Sequence, residues 1–209
     1  MYGDSCTAIM ERVKKLLDDD GAPVDEKDER GNTALMWASK EGRTKVVQLL
    51  LDKGALLDEK DKDGRTALML AIQDGNTEVV KLLLDRDASI NEKGAEGMTA
   101  LMQAIKAGHT ESVKLLLDKG ALVDEQAKDG DTALMLASQT DHTEVVKLLL
   151  AKSASVNVKD THGNTALLQA SQRGRTEVVK LLLEKGALVD EKTKHGETAL
   201  LQASQKGHS

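Results

Sequence analysis

The tripeptide Thr-Ala-Leu, always followed by Met or Leu, occurs six times in this chain, and every interval between copies is 33 residues. The copies begin at Thr33, Thr66, Thr99, Thr132, Thr165 and Thr198. A fixed period of this length indicates one supersecondary unit stacked on copies of itself, because a single unit cannot bury its own apolar face. The sequence therefore predicts a solenoid of repeats and not a globule around one central core.

Each repeat is predicted to be a helical hairpin. In residues 28–60, Thr33 is expected to be the N-cap of a short helix from Ala34 to Lys40, which Gly42 ends. Thr44 is expected to cap a second helix, whose apolar residues lie on too many sides for a lone surface helix. That helix must pack between neighbours. The Gly-, Asp- and Lys-rich stretch that follows is typical of an extended hairpin loop.

These recurring residues resemble the ankyrin repeat. The pattern is clearest in Asp61-Lys-Asp-Gly64-Arg-Thr66-Ala-Leu68, Ala71, Gly75 and Glu78-Val-Val-Lys-Leu-Leu-Leu84. The resemblance implies an all-α solenoid in which each repeat is a helix-turn-helix followed by a β-hairpin loop. It implies one continuous domain with an N-terminal capping half-repeat at 1–27, five full repeats at 28–60, 61–93, 94–126, 127–159 and 160–192, and a truncated sixth at 193–209.

The chain departs from the family pattern at two kinds of position. Where the family usually has Thr-Pro-Leu-His, all copies here have Thr-Ala-Leu followed by Met or Leu, a change that keeps a good helix former and adds apolar packing. Asp87 and Ser153 stand where other repeats have Gly after the second helix. If those positions are left-handed, each substitution costs roughly 1 kcal/mol. The same two repeats continue Ala-Ser-(Ile/Val)-Asn where their neighbours read Ala-Leu-(Leu/Val)-Asp, which indicates duplication of a two-repeat block.

Composition narrows the class of partner. The net charge is −6, and no Lys/Arg stripe is interleaved with aromatic residues, which argues against binding of DNA or RNA. No apolar run approaches the ~18 residues that a membrane-spanning helix requires. The lone Cys6 excludes an internal disulfide and is compatible with a reducing compartment, so we expect an intracellular location, in the cytoplasm or the nucleus.

No pattern in the sequence predicts catalysis, a cofactor or a metal. His162 and His195 occupy equivalent positions in adjacent repeats. Stacked helices lie about 8–10 Å apart, whereas zinc ligands lie about 2.1 Å from the metal, so we expect no zinc site there. The stretch from Glu59 to Gly64 imitates the start of a calcium loop, but the twelfth position is Leu70, where a bidentate Glu is required. We expect a non-enzymatic protein without a cofactor.

The two ends of the chain give different expectations. Residues 11–27 align with the second helix and loop of the first repeat, but Lys14 replaces Val47 and Asp18 replaces Leu51, which is typical of a polar cap. The sequence after Thr198 has no such polar replacement. We therefore expect either a truncated chain or end-to-end self-association through this half-repeat.

The resemblance implies that the hairpin tips and the exposed side of the first helices line a groove that binds a protein or peptide. The residues predicted to line it are Arg30, Asn32, Trp37, Glu41, Arg65, Leu70, Asp74, Met98, Gln103, Ala107, Asp131, Leu136, His162 and Arg173. Trp37, Leu70, Met98 and Leu136 would be apolar anchors, and Arg30 and Arg65 would meet an acidic group of the partner. The alternative for the two leucines is packing between repeats.

Three functions agree with this sequence. The first, which the varied residues at the tips favour, is a protein-binding module. The second is a structural spacer or self-associating rod, which the uncapped carboxyl end favours. The third is a targeting arm of a larger protein.

Overall fold

The computed structural model of the protein describes residues 3–18, 21–140 and 142–207. In these ranges it contains twelve α-helices and a short 3-10 turn at Ala95–Gly97. The helices are α1 (Gly3–Asp18), α2 (Ala34–Lys40), α3 (Thr44–Asp52), α4 (Ala67–Gln73), α5 (Thr77–Asp85), α6 (Ala100–Ala107), α7 (Thr110–Asp118), α8 (Ala133–Gln139), α9 (Thr143–Ala151), α10 (Ala166–Gln172), α11 (Thr176–Glu184) and α12 (Ala199–Lys206).

The helices form two compact units, the first ending at Ala95 and the second beginning at Glu96. In the first unit α2 packs on α4, α3 packs on α5, and α1 packs on α3. In the second unit α6, α8, α10 and α12 pack on one another in chain order, as do α7, α9 and α11. Each unit is therefore a stack of helical hairpins, as the 33-residue period predicts.

Threonine caps begin the first helix of every hairpin. Thr33 accepts a hydrogen bond at its Oγ1 from the backbone N–H of Met36, at 3.3 Å, and α2 covers Ala34–Lys40 as expected. The other five Thr-Ala-Leu copies repeat this bond. The expected cap at Thr44 is wrong by one residue. Thr44 is the first residue of α3, and the N-cap is Arg43, whose side chain makes no capping bond.

The core of each unit is made of the residues that the period keeps constant. Leu35 and Met36 on α2 are at most 1% exposed, and Val47 and Leu50 on α3 are equally buried. The Met that stands where the family has His is thus an apolar core residue, and the sulfur of Met36 accepts the backbone N–H of Thr33 at 3.5 Å.

Aspartate side chains close the loops that lead into the first helices. Asp61 is buried, and its Oδ1 accepts the backbone N–H groups of Asp63 and Arg65 at 2.9 and 2.8 Å. Adjacent loops are joined by backbone bonds such as that from Lys62 N–H to the Arg30 carbonyl, at 3.0 Å. The loops are therefore held as turns, and one isolated β-bridge joins Gln126 and Thr132.

Among the residues that the structure describes, three that are not glycine have left-handed backbones. Asp87 and Ser153 have φ values of 64° and 65°, which confirms that their position requires this conformation. Glu96, with φ of 54°, was not predicted. It lies two residues after Gly94, which occupies the position of Asp61 in the preceding repeat. Gly94 has no side chain to accept the loop's N–H groups as Asp61 does, and the backbone there forms the 3-10 turn.

The first helix has the polar exposed surface expected of a cap. Lys14 and Asp18 are exposed, and Asp18 forms an ion pair with Lys53, the residue that follows α3. Cys6 lies in α1, but its side chain is outside the described part of the chain.

Candidate partner-binding surface

The hairpin tips and the outer sides of the first helices form a surface in each unit, and most of the predicted groove residues lie on it. Seven are exposed: Arg30, Trp37, Glu41, Asp74, Ala107, His162 and Arg173. Five are partly exposed: Arg65, Met98, Gln103, Asp131 and Leu136. Their accessibility is compatible with binding, and their role in binding stays a prediction.

Two predicted groove residues are buried, and the expectation that they face a partner needs correction. Leu70 is 4% exposed within α4, so it packs inside the first unit, which was the alternative for this position. Asn32 is 7% exposed, and its Nδ2 donates to both carboxylate oxygens of Asp28, at 3.3 and 3.2 Å. Both residues therefore stabilise the hairpin and offer little surface to a ligand.

Trp37 is the most prominent apolar side chain on this surface of the first unit. It is 43% exposed, its Nε1–H donates to Asp28 Oδ2 at 2.9 Å, and the ammonium of Lys40 lies 5.5 Å from the ring centroid. The cation and the hydrogen bond hold the indole in one orientation. A fixed and half-exposed indole loses little conformational entropy when a partner packs on it.

The carboxylate of Asp28 is stabilised by the groups around it. Its pKa is lowered to about 2, chiefly because the backbone N–H of Asn32 donates to it, with further donation from Trp37 and the Arg30 amide. Asp28 is therefore ionised at neutral pH and binds the indole as an anion.

Arg65 is already paired within its own loop. Its Nε donates to Asp61 Oδ2 at 2.7 Å, and its Nη2 lies 2.9 Å from Asp63 Oδ2. An acidic group of a partner would have to compete with these two carboxylates. Arg30 is exposed, which makes it the better candidate of the two for such a contact.

A polar cleft of about 270 Å³ lies on the same surface of the second unit. Gln169 on α10 forms its floor, with only 7% of its surface exposed. Gln169 Nε2 donates to Asp131 Oδ1 at 3.0 Å and to Asp160 Oδ2 at 3.3 Å, and its Oε1 accepts from Gln139 Nε2 at 2.8 Å. The side chains that line the cleft are Asp129, Asp131, Gln139, Asp160, His162, Asn164, Gln169, Gln172 and Arg173.

The carboxylate of Asp131 is held where its charge is poorly solvated. Its pKa is raised, mainly because burial disfavours the ionised form, and the nearby carboxylates of Asp129 and Asp160 add to the shift. The hydrogen bonds from Gln169 and Gln139 oppose the shift without cancelling it. A cationic group bound in this cleft would therefore stabilise the ionised form of Asp131.

Most residues of this cleft stand at the tip and first-helix positions that the repeat predicts to line a groove. Asp131, His162 and Arg173 were in the predicted set, and they lie together here. Asp160 was not, although a signal was present. It occupies the same position as Asp28 and Asp61, three residues before a Gly.

The described residues include no helix that is both long and apolar enough to cross a membrane.

The stacked hairpins, the threonine caps and the exposed tips define a helical repeat protein. The family description "Ankyrin repeats (3 copies)" matches residues 6–94, 87–160 and 152–209, and the chain belongs to this family. A comparison with curated proteins found no match. Ankyrin repeats are generally protein–protein interaction modules, and the family is typically non-catalytic.

Proposed function

We propose that this protein is a non-catalytic module that binds a partner protein or peptide through its hairpin tips and first helices. The observation that carries the proposal is the polar cleft of the second unit. There the buried Gln169 uses its amide to hold two carboxylates, Asp131 and Asp160, toward the surface. Because these polar groups are already held in place, they lose little conformational entropy when a ligand binds.

The chemistry of this cleft favours a basic side chain of the partner. Three carboxylates, those of Asp129, Asp131 and Asp160, line the cleft together with one guanidinium, that of Arg173, and the pKa of Asp131 is raised by its burial and by repulsion from the other two carboxylates. A guanidinium or ammonium group would relieve that repulsion and form charge-assisted hydrogen bonds. Specificity would then come from a planar, bidentate contact of the kind that Arg makes better than Lys.

A display selection of random peptides against the full chain tests this proposal. Selected peptides are expected to share an Arg or Lys, and Asp131→Asn is expected to weaken them at least about tenfold, the loss typical of an interface hot spot. The matched control is Asp118→Asn. It removes one exposed carboxylate at the end of α7, where Asp118 pairs with Lys152. Equal affinity of the selected peptides for both variants would contradict the role of the cleft.

Trp37 provides a separate test in the first unit. Its replacement by Ala is expected to weaken ligands that pack on this unit, while Trp37→Phe should retain part of their affinity because an aromatic face remains. Lys81→Ala, an exposed change on α5, is the control. The chain has one Trp, so its fluorescence reports directly on occupation of this site. Ligands that bind Trp37→Ala as tightly as the parent chain would show that the indole is not a contact.

A further inference from the structure

One side chain of the polar cleft carries a charge opposite to that of the three carboxylates. Arg173, the C-cap residue of α10, is exposed and lines the cleft with Asp129, Asp131 and Asp160. Within the described part of the chain, its guanidinium forms no hydrogen bond or ion pair. All the N–H donors of this guanidinium are therefore available to an acceptor from outside the chain.

Asp160 is fully occupied by donors of its own hairpin. Its Oδ1 accepts the backbone N–H groups of His162 and Asn164, both at 2.8 Å. Its Oδ2 accepts from Asn164 Nδ2 at 2.8 Å and from Gln169 Nε2 at 3.3 Å. A carboxylate has about four acceptor sites, so Asp160 keeps none for Arg173 or for a ligand. Its role in the cleft is to close the loop.

Asp131 lacks the partner that its position has in the next hairpin. There the equivalent Asn164 donates its side-chain amide to the Asp that closes the loop. In the loop of Asp131 the closing position is occupied by Ala127, and the donor is replaced by a carboxylate. This carboxylate accepts from Gln169 Nε2 at 3.0 Å and from Gln139 Nε2 at 3.4 Å, which leaves about half of its acceptor sites unused. Loop closure does not account for the charge of Asp131.

Asp129 is the second carboxylate with unused acceptor sites. It is exposed, and its Oδ1 accepts the backbone N–H of Asp131 at 3.1 Å. Among the described residues, no other hydrogen bond or ion pair to this carboxylate is formed. The cleft therefore has unused acceptors on the loop before α8 and an unused donor group, Arg173, at the end of α10.

The positive charge of Arg173 is not a requirement of its helix. A cation at a helix C-terminus interacts favourably with the helix dipole, which would be a structural reason for an arginine at this position. The equivalent C-cap residues of α2 and α4 are Glu41 and Asp74, which have the opposite charge. The repeat thus folds with either sign at this position, and the dipole does not explain why the cleft contains an arginine.

We propose that the polar cleft recognises a segment of the partner in which a basic and an acidic side chain are neighbours. Asp129 and Asp131 bind the basic group, and Arg173 binds the acidic group through the bidentate geometry that a guanidinium offers to a carboxylate. The inference rests on the proposed function, because it specifies the ligand of the same site. A segment with basic residues alone would place a like charge beside Arg173, so the cleft discriminates against polybasic partners.

Peptides selected by display against the full chain test this inference when their Kd values are measured by calorimetry. Arg173→Gln is expected to raise these Kd values about fivefold, the loss of an exposed ion pair at the strong end of its range. The matched control is Lys147→Gln. It removes the same charge from an exposed position on α9 that does not line the cleft, and it should leave the Kd values unchanged.

Replacement of the acidic residue of each peptide by its amide shows whether that residue meets Arg173. The change is expected to raise the Kd of the parent chain about fivefold but to leave the Kd of Arg173→Gln unchanged, because both substitutions remove the same contact. Equal losses with the two proteins would place the acidic residue elsewhere and overturn the inference.

Charge reversal at the same position gives a signature that a merely structural arginine would not give. Glu41 occupies the equivalent position of α2, so Arg173→Glu is expected to fold, and circular dichroism checks its helix content. This variant should bind the selected peptides at least about tenfold more weakly, because like charges then meet. It should prefer peptides in which Lys replaces the acidic residue, and the absence of that preference in the folded variant would contradict the proposed contact.

The same measurements separate the failure of this inference from the failure of the proposed function. Peptides that are weakened by Asp131→Asn but are indifferent to Arg173→Gln would leave the binding of a basic side chain intact and overturn the inference alone. A selection that yields no peptides, or peptides indifferent to both variants, would overturn both.

Discussion

Ser89 donates two hydrogen bonds to the carboxylate of Asp58 in the preceding loop, one from its backbone N–H to Oδ1 at 2.9 Å and one from its hydroxyl to Oδ2 at 2.6 Å. Ser155 and Asp124 repeat this arrangement in the second unit, at 2.8 and 2.6 Å. Each pair joins one hairpin to the next.

Asn157 makes a different junction with the hairpin after it. Its Oδ1 accepts the backbone N–H of Leu188 at 3.0 Å, and its Nδ2 donates to the Gly186 carbonyl at 3.2 Å. Leu188 has no side-chain hydroxyl to donate, so the second hydrogen bond of this junction is donated by the side-chain amide of Asn157. From Asp58 onward, an Asp precedes each Ser and an Asn precedes each Leu by 31 residues, whereas earlier in the chain Asp25 accepts the backbone N–H of Leu56 at 2.9 Å.

Ser155→Ala is expected to lower the free energy of unfolding by about 0.5–1.5 kcal/mol, since one hydrogen bond to a partly solvated carboxylate is lost. Urea unfolding of the full chain measures the loss. In a double-mutant cycle with Asp124→Ala, the two changes are expected to be strongly non-additive. Additive losses would show that the hydroxyl and the carboxylate do not interact.

Ser153→Gly is expected to stabilise the protein by roughly 1 kcal/mol, because Ser153 has a left-handed backbone and Gly adopts that conformation without steric cost. The reverse change, Gly120→Ser, lies at the equivalent position, where φ is 90° and no atom lies within 4 Å of an added Cβ. It should destabilise the chain by a similar amount through backbone strain alone. Thermal unfolding of the two variants should show Tm shifts of opposite sign, and shifts of the same sign would contradict this account.

The 33-residue period predicts the caps and helix ends of each hairpin better than it predicts which side chains are exposed. A Thr followed by a short apolar run was sufficient to place the Thr33 cap and the ends of α2, because caps depend on local sequence. Burial on the first helices depends on neighbours. Leu70 and Leu136 are equivalent in sequence, yet Leu70 is buried and Leu136 is partly exposed. A seven-residue helix that is apolar on most sides does not reveal which side faces solvent.

The polar cleft could be predicted only in part, for a related reason. Gln169 bonds to Asp131, which lies 38 residues earlier, and to Asp160, which lies nine residues earlier. Such bonds depend on the register of stacked hairpins and on side-chain rotamers, which a repeat pattern does not specify. Position in the repeat indicated that these residues approach the surface, but not that an amide would join them.

Acidification is expected to break the contact between Asp28 and Trp37. The folded-state pKa of Asp28 is about 2, below its ordinary value of 3.8, so the stabilisation is complete above pH 3.8 and is lost as the pH falls toward 2. Trp37 fluorescence should change over this range because the indole N–H loses its anionic acceptor. In Asp28→Asn, the fluorescence of the folded protein should lack this transition. A transition of the same midpoint in that variant would assign it to another group or to global unfolding.

Asp131→Asn is expected to have opposite effects on stability and on binding. The folded-state pKa of Asp131 is raised, so the folded protein favours the protonated carboxyl, and stability is lost as the pH rises through that pKa. Asparagine has no charge to bury and retains an oxygen that accepts from Gln169. The variant should therefore unfold at higher urea concentration than the parent at pH 7, with the difference disappearing near pH 3, while Asp118→Asn should show no such pH-dependent gain.

If Asp131→Asn also binds basic peptides more weakly, then Asp131 is kept charged at a cost in stability that binding offsets, as is common at functional sites. A variant less stable than the parent at pH 7 would instead identify the carboxylate as a structural acceptor and remove this argument for a binding role.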